Sequence, residues 1–128
     1  MMQGEVRFIG KVTEVNEEIS TILIYPEFCD GLFRLDEYSH INILYWFHLR
    51  DDENHRGTLK VVPKRHDETA ERGVFASHSP SRPNPIGLTD VEIISIEGCI
   101  LTVKGLDALV ESPIVDIKPK HVVIVQND

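Results

Sequence analysis

Leu88-Thr-Asp-Val-Glu-Ile-Ile-Ser-Ile-Glu-Gly-Cys-Ile-Leu-Thr-Val-Lys104 is two β-branched runs split by one turn. Leu88–Ile96 and Cys99–Lys104 have the composition of strands, and Glu97-Gly98 supplies the reversal of a hairpin. Working outward, the same texture recurs. Val6–Val12 alternates, with Val6, Phe8, Gly10 and Val12 on one face, and Ile19–Tyr25 is a β-branched and aromatic run ended by Pro26. Asp30-Gly31 is a turn, and Leu32–Ser39 reads either as irregular chain or as one helical turn. Ile41–Leu49 is apolar on nearly both faces and reads as a central, doubly covered strand. Arg50–Gly57 is a polar loop. Thr58–Val62, Val74–Ala76, Ile114–Ile117 and His121–Val125 complete the set, with a loop over Gly105–Pro113.

No 3.6-residue stripe of any length interrupts this pattern, so the fold class is all-β. About seven or eight short strands with long loops predict a small single-sheet β-barrel, because closure removes the edges that so many strands would otherwise expose. The 128 residues suit one domain over 1–128, with no C-terminal extension. No apolar run is long enough to span a bilayer, and a soluble cytoplasmic protein is expected. Cys29 and Cys99 form no metal-ligand spacing with any histidine, so both read as buried or free thiols in a reducing compartment, and no metal is expected; two cysteines allow a disulfide, but nothing in the sequence argues for one. The absence of a strand–glycine-loop–helix unit and of a Gly-x-Ser-x-Gly elbow excludes a Walker or Rossmann phosphate site and an α/β-hydrolase.

Net charge is −8, which by itself disfavours nucleic acid, since phosphate neutralisation supplies most of the affinity in such complexes. The distribution is uneven. Lys60, Lys64, Arg65, Arg72 and Arg82 outnumber Asp67, Glu68 and Glu71 between positions 60 and 82, with His66 and His78 in the same window. Such a patch in an acidic chain steers an anionic partner to one place; a solvated loop of mixed charge fits the count equally well.

Beside that patch lies Gly73-Val-Phe-Ala-Ser-His-Ser-Pro-Ser-Arg-Pro-Asn-Pro-Ile-Gly-Leu88. Pro80, Pro83 and Pro85 fix φ and remove donors, so Ser79–Ile86 is a stiffened loop, closed by Gly87. It offers backbone carbonyls together with Ser77, His78, Ser79, Ser81, Arg82 and Asn84.

This run, with Tyr38–His48, Gly105-Leu106-Asp107 and Pro113-Ile-Val-Asp-Ile-Lys-Pro119, resembles the TrmO-type tRNA methyltransferase family over about two-thirds of the chain. The resemblance implies a barrel that binds S-adenosylmethionine and methylates N6 of threonylcarbamoyl-adenosine at position 37, in the anticodon loop of tRNA. It also implies a homodimer with the cofactor site close to the subunit interface. Carried over by position, cofactor contacts fall on Phe47, His48, His78, Leu88, Lys104, Gly105, Leu106 and Asp107. Phe47 offers a wall for an adenine or a sulfonium, Leu88 and Leu106 an adenine sandwich, and Asp107 an acceptor for an ammonium or a ribose hydroxyl. Phe47 and Leu106 suit any barrel core equally, and His48 at a strand end suits a structural role. Asp116 is another carboxylate that either serves the site or holds its own loop.

The methyl donor is already activated, so the demand falls on the acceptor nitrogen, whose lone pair is delocalised into purine and carbonyl. Asn84 and the carbonyls around Pro83 and Pro85 are expected to accept its N–H, on the ground that a carbonyl beside proline is not consumed by a local donor. Arg82, with its planar fork, is expected to hold the substrate carboxylate or a phosphate. The chain departs from the family pattern at His78, usually arginine, and at Lys120, usually tyrosine; Arg-Ser-Pro and Pro-Arg-Gln segments have no counterpart in Thr13–Asn16 and Pro26–Asp30. Two alternatives therefore stand beside the tRNA enzyme. One is a methyltransferase of the same barrel acting on a small molecule, and the other a non-catalytic barrel that binds the cofactor or a partner.

Overall fold

The computed structural model describes residues 1–63 and 70–120. Six antiparallel strands close into a barrel in the order β1-β2-β7-β6-β3-β8: β1 Gly10–Asn16, β2 Ile19–Ile24, β3 His40–Trp46, β6 Ile86–Glu97, β7 Ile100–Lys104 and β8 Pro113–Pro119. A separate two-stranded ribbon pairs β4 Lys60–Val61 with β5 Arg72–Gly73. The predicted barrel is present. Its wall has six strands, the ribbon accounting for the other two, and the run His121–Val125 lies outside the described residues.

The chain divides into two compact units, Met1–Tyr45 with Leu88–Asp128, and Trp46–Gly87. The first holds the barrel core. Val12, Ile22, Ile24, Ile41, Ile43, Val91, Leu101, Val103 and Ile114 are each 2% exposed or less, contributed at alternate positions as a closed sheet demands. Each such side chain stabilises the fold by about 1.5–3 kcal/mol relative to an exposed one. β3 follows this rule rather than the doubly covered reading: Ile41, Ile43 and Tyr45 are buried, whereas Asn42, Leu44 and Trp46 are half-buried on the outer face. The barrel has one interior, and an apolar outer residue is only partly sheltered.

The hairpin is present, its turn one residue later than the Glu97-Gly98 expected. β6 and β7 pair from Glu92↔Lys104 to Glu97↔Ile100, and the two-residue loop Gly98-Cys99 turns through Gly98 at φ 62°. β6 begins earlier than Leu88, so Ile86 and Gly87 already belong to it and Gly87 does not close the proline loop. The first strand begins later than Val6. Gly10 fixes its start, because a Cβ there would stand 2.2 Å from the Leu23 carbonyl oxygen, so only glycine permits the approach of β1 to β2. Val6 and Phe8 precede it and are exposed.

Cys29 and Cys99 are not free thiols; they form a disulfide, Cα to Cα 5.4 Å. The turn of 3-10 helix Pro26–Leu32 carries Cys29 back over the end of β2, where the Ile24 N–H donates to the Cys99 carbonyl at 2.8 Å. Sequence spacing holds no trace of that return. Leu32–Ser39 contains a second 3-10 turn, Leu35–Glu37, as one of its two readings allowed. Among the described residues no helix is long and apolar enough to cross a membrane, and no cluster of three or more ligating side chains suits a metal ion.

Candidate functional site

In the unit Trp46–Gly87, the proline loop is held from within and from the segment before it. Within, Ser79 N–H donates to Ser77 Oγ and Ser81 N–H to Ser79 Oγ, both at 3.2 Å, two successive hydroxyl turns. Arg82 Nη1 donates to the carbonyls of Ser77 and Ser79 at 3.1 Å each. One end of the Arg82 fork is thus spent on the loop, while Nε and Nη2 make no hydrogen bond among the described residues. Ile86 N–H closes a tight turn onto the Asn84 carbonyl at 2.7 Å.

From the preceding segment, Phe47 N–H donates to the Pro85 carbonyl at 2.7 Å, and Arg56 Nε to the Pro83 carbonyl at 2.8 Å. Arg56 Nη2 reaches Asn84 Oδ1 at 3.4 Å and its Nη1 pairs with Asp51 at 3.0 Å, the guanidinium lying 5.8 Å from the Trp46 ring centroid. These contacts correct the expectation that the carbonyls around Pro83 and Pro85 stand free. Proline cannot supply a local donor, but donors arrive from 27 and 38 positions earlier in the chain. Each oxygen keeps a second lone pair. Asn84 is exposed, and Pro85 is buried beneath it.

Arg56 is the residue that sequence reading missed. It ends a single helical turn, Glu53–Arg56, whose N-cap Asp52 accepts from His55 N–H at 2.8 Å and whose C-cap is Gly57. The Asp52 carboxyl is held below its ordinary pKa by that backbone hydrogen bond first, then by the His55 ring. Asp-x-x-x-Arg-Gly carries a recognisable cap signal at both ends. Val74–Ala76, read as a strand, is instead a 3-10 turn. Val74 N–H donates to the Leu59 carbonyl at 2.9 Å, after which the chain curls so that Ser77 N–H meets the Val74 carbonyl.

In the barrel unit, Gly105 takes φ 97° and donates its N–H to the Glu18 carbonyl at 2.9 Å, so the loop after β7 departs sharply. Its neighbour Lys104 is exposed, 3.7 Å from Glu18. Leu106 turns into the core at 9% exposure and Asp107 points to solvent. The Asp107 backbone carbonyl is fixed by the Tyr45 hydroxyl, which in turn accepts from Thr89 Oγ1 at 3.4 Å. Tyr45 is 4% exposed, and burial pushes its phenol above its ordinary pKa; Thr89 opposes this and the Asp107 charge adds to it. Leu88 is 57% exposed one residue before Thr89, so an open apolar surface, an exposed carboxylate and a pinned loop are gathered by Tyr45. Leu106 is a core residue, not half of an open sandwich. Asp116 is exposed and accepts from Ile117 N–H at 2.8 Å, the local holding role.

The predicted positions thus fall into two groups. Leu88, Lys104, Gly105, Leu106 and Asp107 lie on the barrel, and Phe47, His48, His78, Arg82 and Asn84 lie on the second unit, His78 exposed and His48 half-buried. The donor set of the first group fits an adenosine-bearing cofactor. Asp107 has a carboxylate with no hydrogen-bond partner among the described residues, Leu88 is an apolar face, and Gly105 has only the Asp90 carbonyl, at 3.9 Å, where a Cβ would stand. A cavity of about 620 Å³ opens elsewhere on the barrel, between Ile24, Leu32, Phe33, Tyr38 and Ile117, and contains none of these residues.

A closed barrel of short strands with long irregular loops makes this a small all-β protein. The chain belongs to the tRNA-methyltransferase O N-terminal domain family, whose profile matches residues 10–124. It is 48% identical over 103 residues to the S-adenosyl-L-methionine-binding protein of Archaeoglobus fulgidus, covering 80% of this chain and 70% of that one. It is 41% identical over 89 residues to the mouse tRNA (adenine(37)-N6)-methyltransferase, covering 70% of this chain but only 20% of the mouse protein. The crystal structure of TrmO from Pseudomonas aeruginosa superposes with a TM-score of 0.70 at 27% identity, over 93% of this chain and 56% of that one. The chain therefore spans little more than half the length of that enzyme.

Proposed function

We propose that this chain is an S-adenosylmethionine-dependent methyltransferase that modifies N6 of adenosine 37 in tRNA, with threonylcarbamoyl-adenosine as the acceptor and a homodimer as the working form. The observation that carries the reading is the hydrogen-bonded clasp on Arg82-Pro-Asn-Pro85 within a chain matched to the family along residues 10–124. The names of the mouse and archaeal relatives support the reaction and the cofactor.

Bound S-adenosylmethionine supplies a sulfonium methyl that is electrophilic without further activation. On the barrel, Asp107 would take a ribose hydroxyl or the ammonium and Leu88 would face the adenine; Phe47, His48 and His78, in the second unit, are the other positions that the family resemblance carries over. Asn84 Oδ1, with the second lone pairs of the Pro83 and Pro85 carbonyls, would accept a hydrogen bond from the N6–H of the adenosine and raise the electron density on nitrogen, the proton leaving to solvent as the new N–C bond forms. The free edge of Arg82 takes the threonyl carboxylate or a phosphate. Because the loop is tied at Ser77, Ser79, Phe47 and Arg56, these acceptors need no reorganisation when substrate arrives, the condition under which positioning lowers a barrier most. Calorimetric titration of cofactor-free protein tests the site: micromolar binding of S-adenosylmethionine that Asp107→Ala loses supports it, and equal binding by that variant sinks it.

A second reading, cofactor binding without methyl transfer, is favoured by one residue. His78 stands where the family pattern has arginine, and a histidine supplies neither the permanent charge nor the bidentate fork. Restoration of turnover by His78→Arg in an otherwise inert chain would select this reading.

A further inference from the structure

We propose that the ribbon β4–β5 and the turn after it form a stacking platform for an unpaired base of the RNA, with Phe75 as the platform. This rests on the tRNA reading above and deepens it. Phe75 is 81% exposed, yet its backbone is fixed on both sides. Val74 before it is 1% exposed and donates its N–H to the Leu59 carbonyl at 2.9 Å. Ala76 after it gives its carbonyl to Arg72 Nη1 at 3.2 Å, and both the N–H and the hydroxyl of Ser77 return to the Val74 carbonyl. A large exposed ring on a fixed backbone has little main-chain entropy left to lose when a flat partner covers it, which favours its use as a recognition surface.

The surroundings choose the partner. Lys60 lies opposite Gly73 in the ribbon and Arg72 opposite Val61, both residues exposed, in a chain whose net charge is −8. An exposed aromatic ring that follows a ribbon carrying exposed basic residues matches a single-stranded nucleotide, whose base stacks while its phosphates meet the charges. A protein partner would meet the same charges as desolvation costs. The segment plays no part in the methyl-transfer chemistry assigned above, so its role is grip on the RNA.

The test uses the full chain with Phe75→Leu and Phe75→Trp, an anticodon stem-loop RNA followed by fluorescence anisotropy at fixed salt, and calorimetry with S-adenosylmethionine. Stacking predicts RNA binding about tenfold or more weaker for Phe75→Leu, near wild type for Phe75→Trp, and cofactor binding unchanged in both. Unaltered RNA affinity of Phe75→Leu, beside a wild type that binds, overturns the platform and leaves the tRNA reading standing. A changed oligomeric state with RNA binding intact also overturns it, since the ring would then cover a protein interface. Failure of the wild type to bind RNA overturns both.

Discussion

Arg56 donates through Nε to the carbonyl of Pro83, 27 residues later in the chain, at 2.8 Å. The same guanidinium also meets Asn84, Asp51 and the Trp46 ring, so one side chain ties the loop that bears the proposed acceptor to the segment that bears Phe47. Replacing it by alanine should cost about 1–3 kcal/mol of stability and, through misplacement of Asn84, on the order of 100-fold in methylation. Arg56→Lys should not restore the rate, because an ammonium cannot span Pro83 and Asp51 in one plane. Single-turnover rates beside denaturant melts check this; full activity of Arg56→Ala would show that the clasp is idle.

The disulfide between Cys29 and Cys99 closes a separation of 70 residues. Constraint of the unfolded chain alone stabilises by about 4 kcal/mol at that length. Thermal melts with and without reductant should therefore separate clearly for the native chain and coincide for Cys29→Ser. A native chain insensitive to reductant would contradict the pairing.

Tyr45 gives the barrel a pH signature. Its phenol ionises above the ordinary range in the folded state, so folding is favoured while the group is protonated in both states. That contribution is complete below the unfolded pKa and lost as pH rises through the folded one. Stability should accordingly fall on the alkaline side, beyond about pH 10, and Tyr45→Phe should flatten that limb. The same variant frees the Asp107 carbonyl, so weaker S-adenosylmethionine binding is expected at neutral pH, where the phenol is un-ionised in either case. An unchanged alkaline limb would remove Tyr45 from this role.

Hairpin and proline loop were legible because both follow from local chemistry. Gly98 makes the reversal, the β-branched runs of β6 and β7 make the ladder, and three prolines in six residues exclude helix and strand together. What escaped depends on chain returns. The start of β1 is set by the Leu23 carbonyl facing Gly10, a contact between strands that alternation at Val6 and Phe8 does not contain. Cys29 meets Cys99 only because a 3-10 turn follows β2. The proline-loop carbonyls read as free because their donors, Phe47 and Arg56, come from far upstream. Arg56 itself was hidden in a polar stretch read for its composition rather than its caps.

The central claim is tested most directly by single-turnover transfer of a labelled methyl group from S-adenosylmethionine to an anticodon stem-loop carrying threonylcarbamoyl-adenosine at position 37. The account predicts incorporation at N6 by the native chain. It also predicts loss on the order of 100-fold in Asn84→Ala, with cofactor affinity retained. Tight cofactor binding with no incorporation into modified or unmodified RNA would contradict it, as would an Asn84→Ala variant that methylates at the native rate.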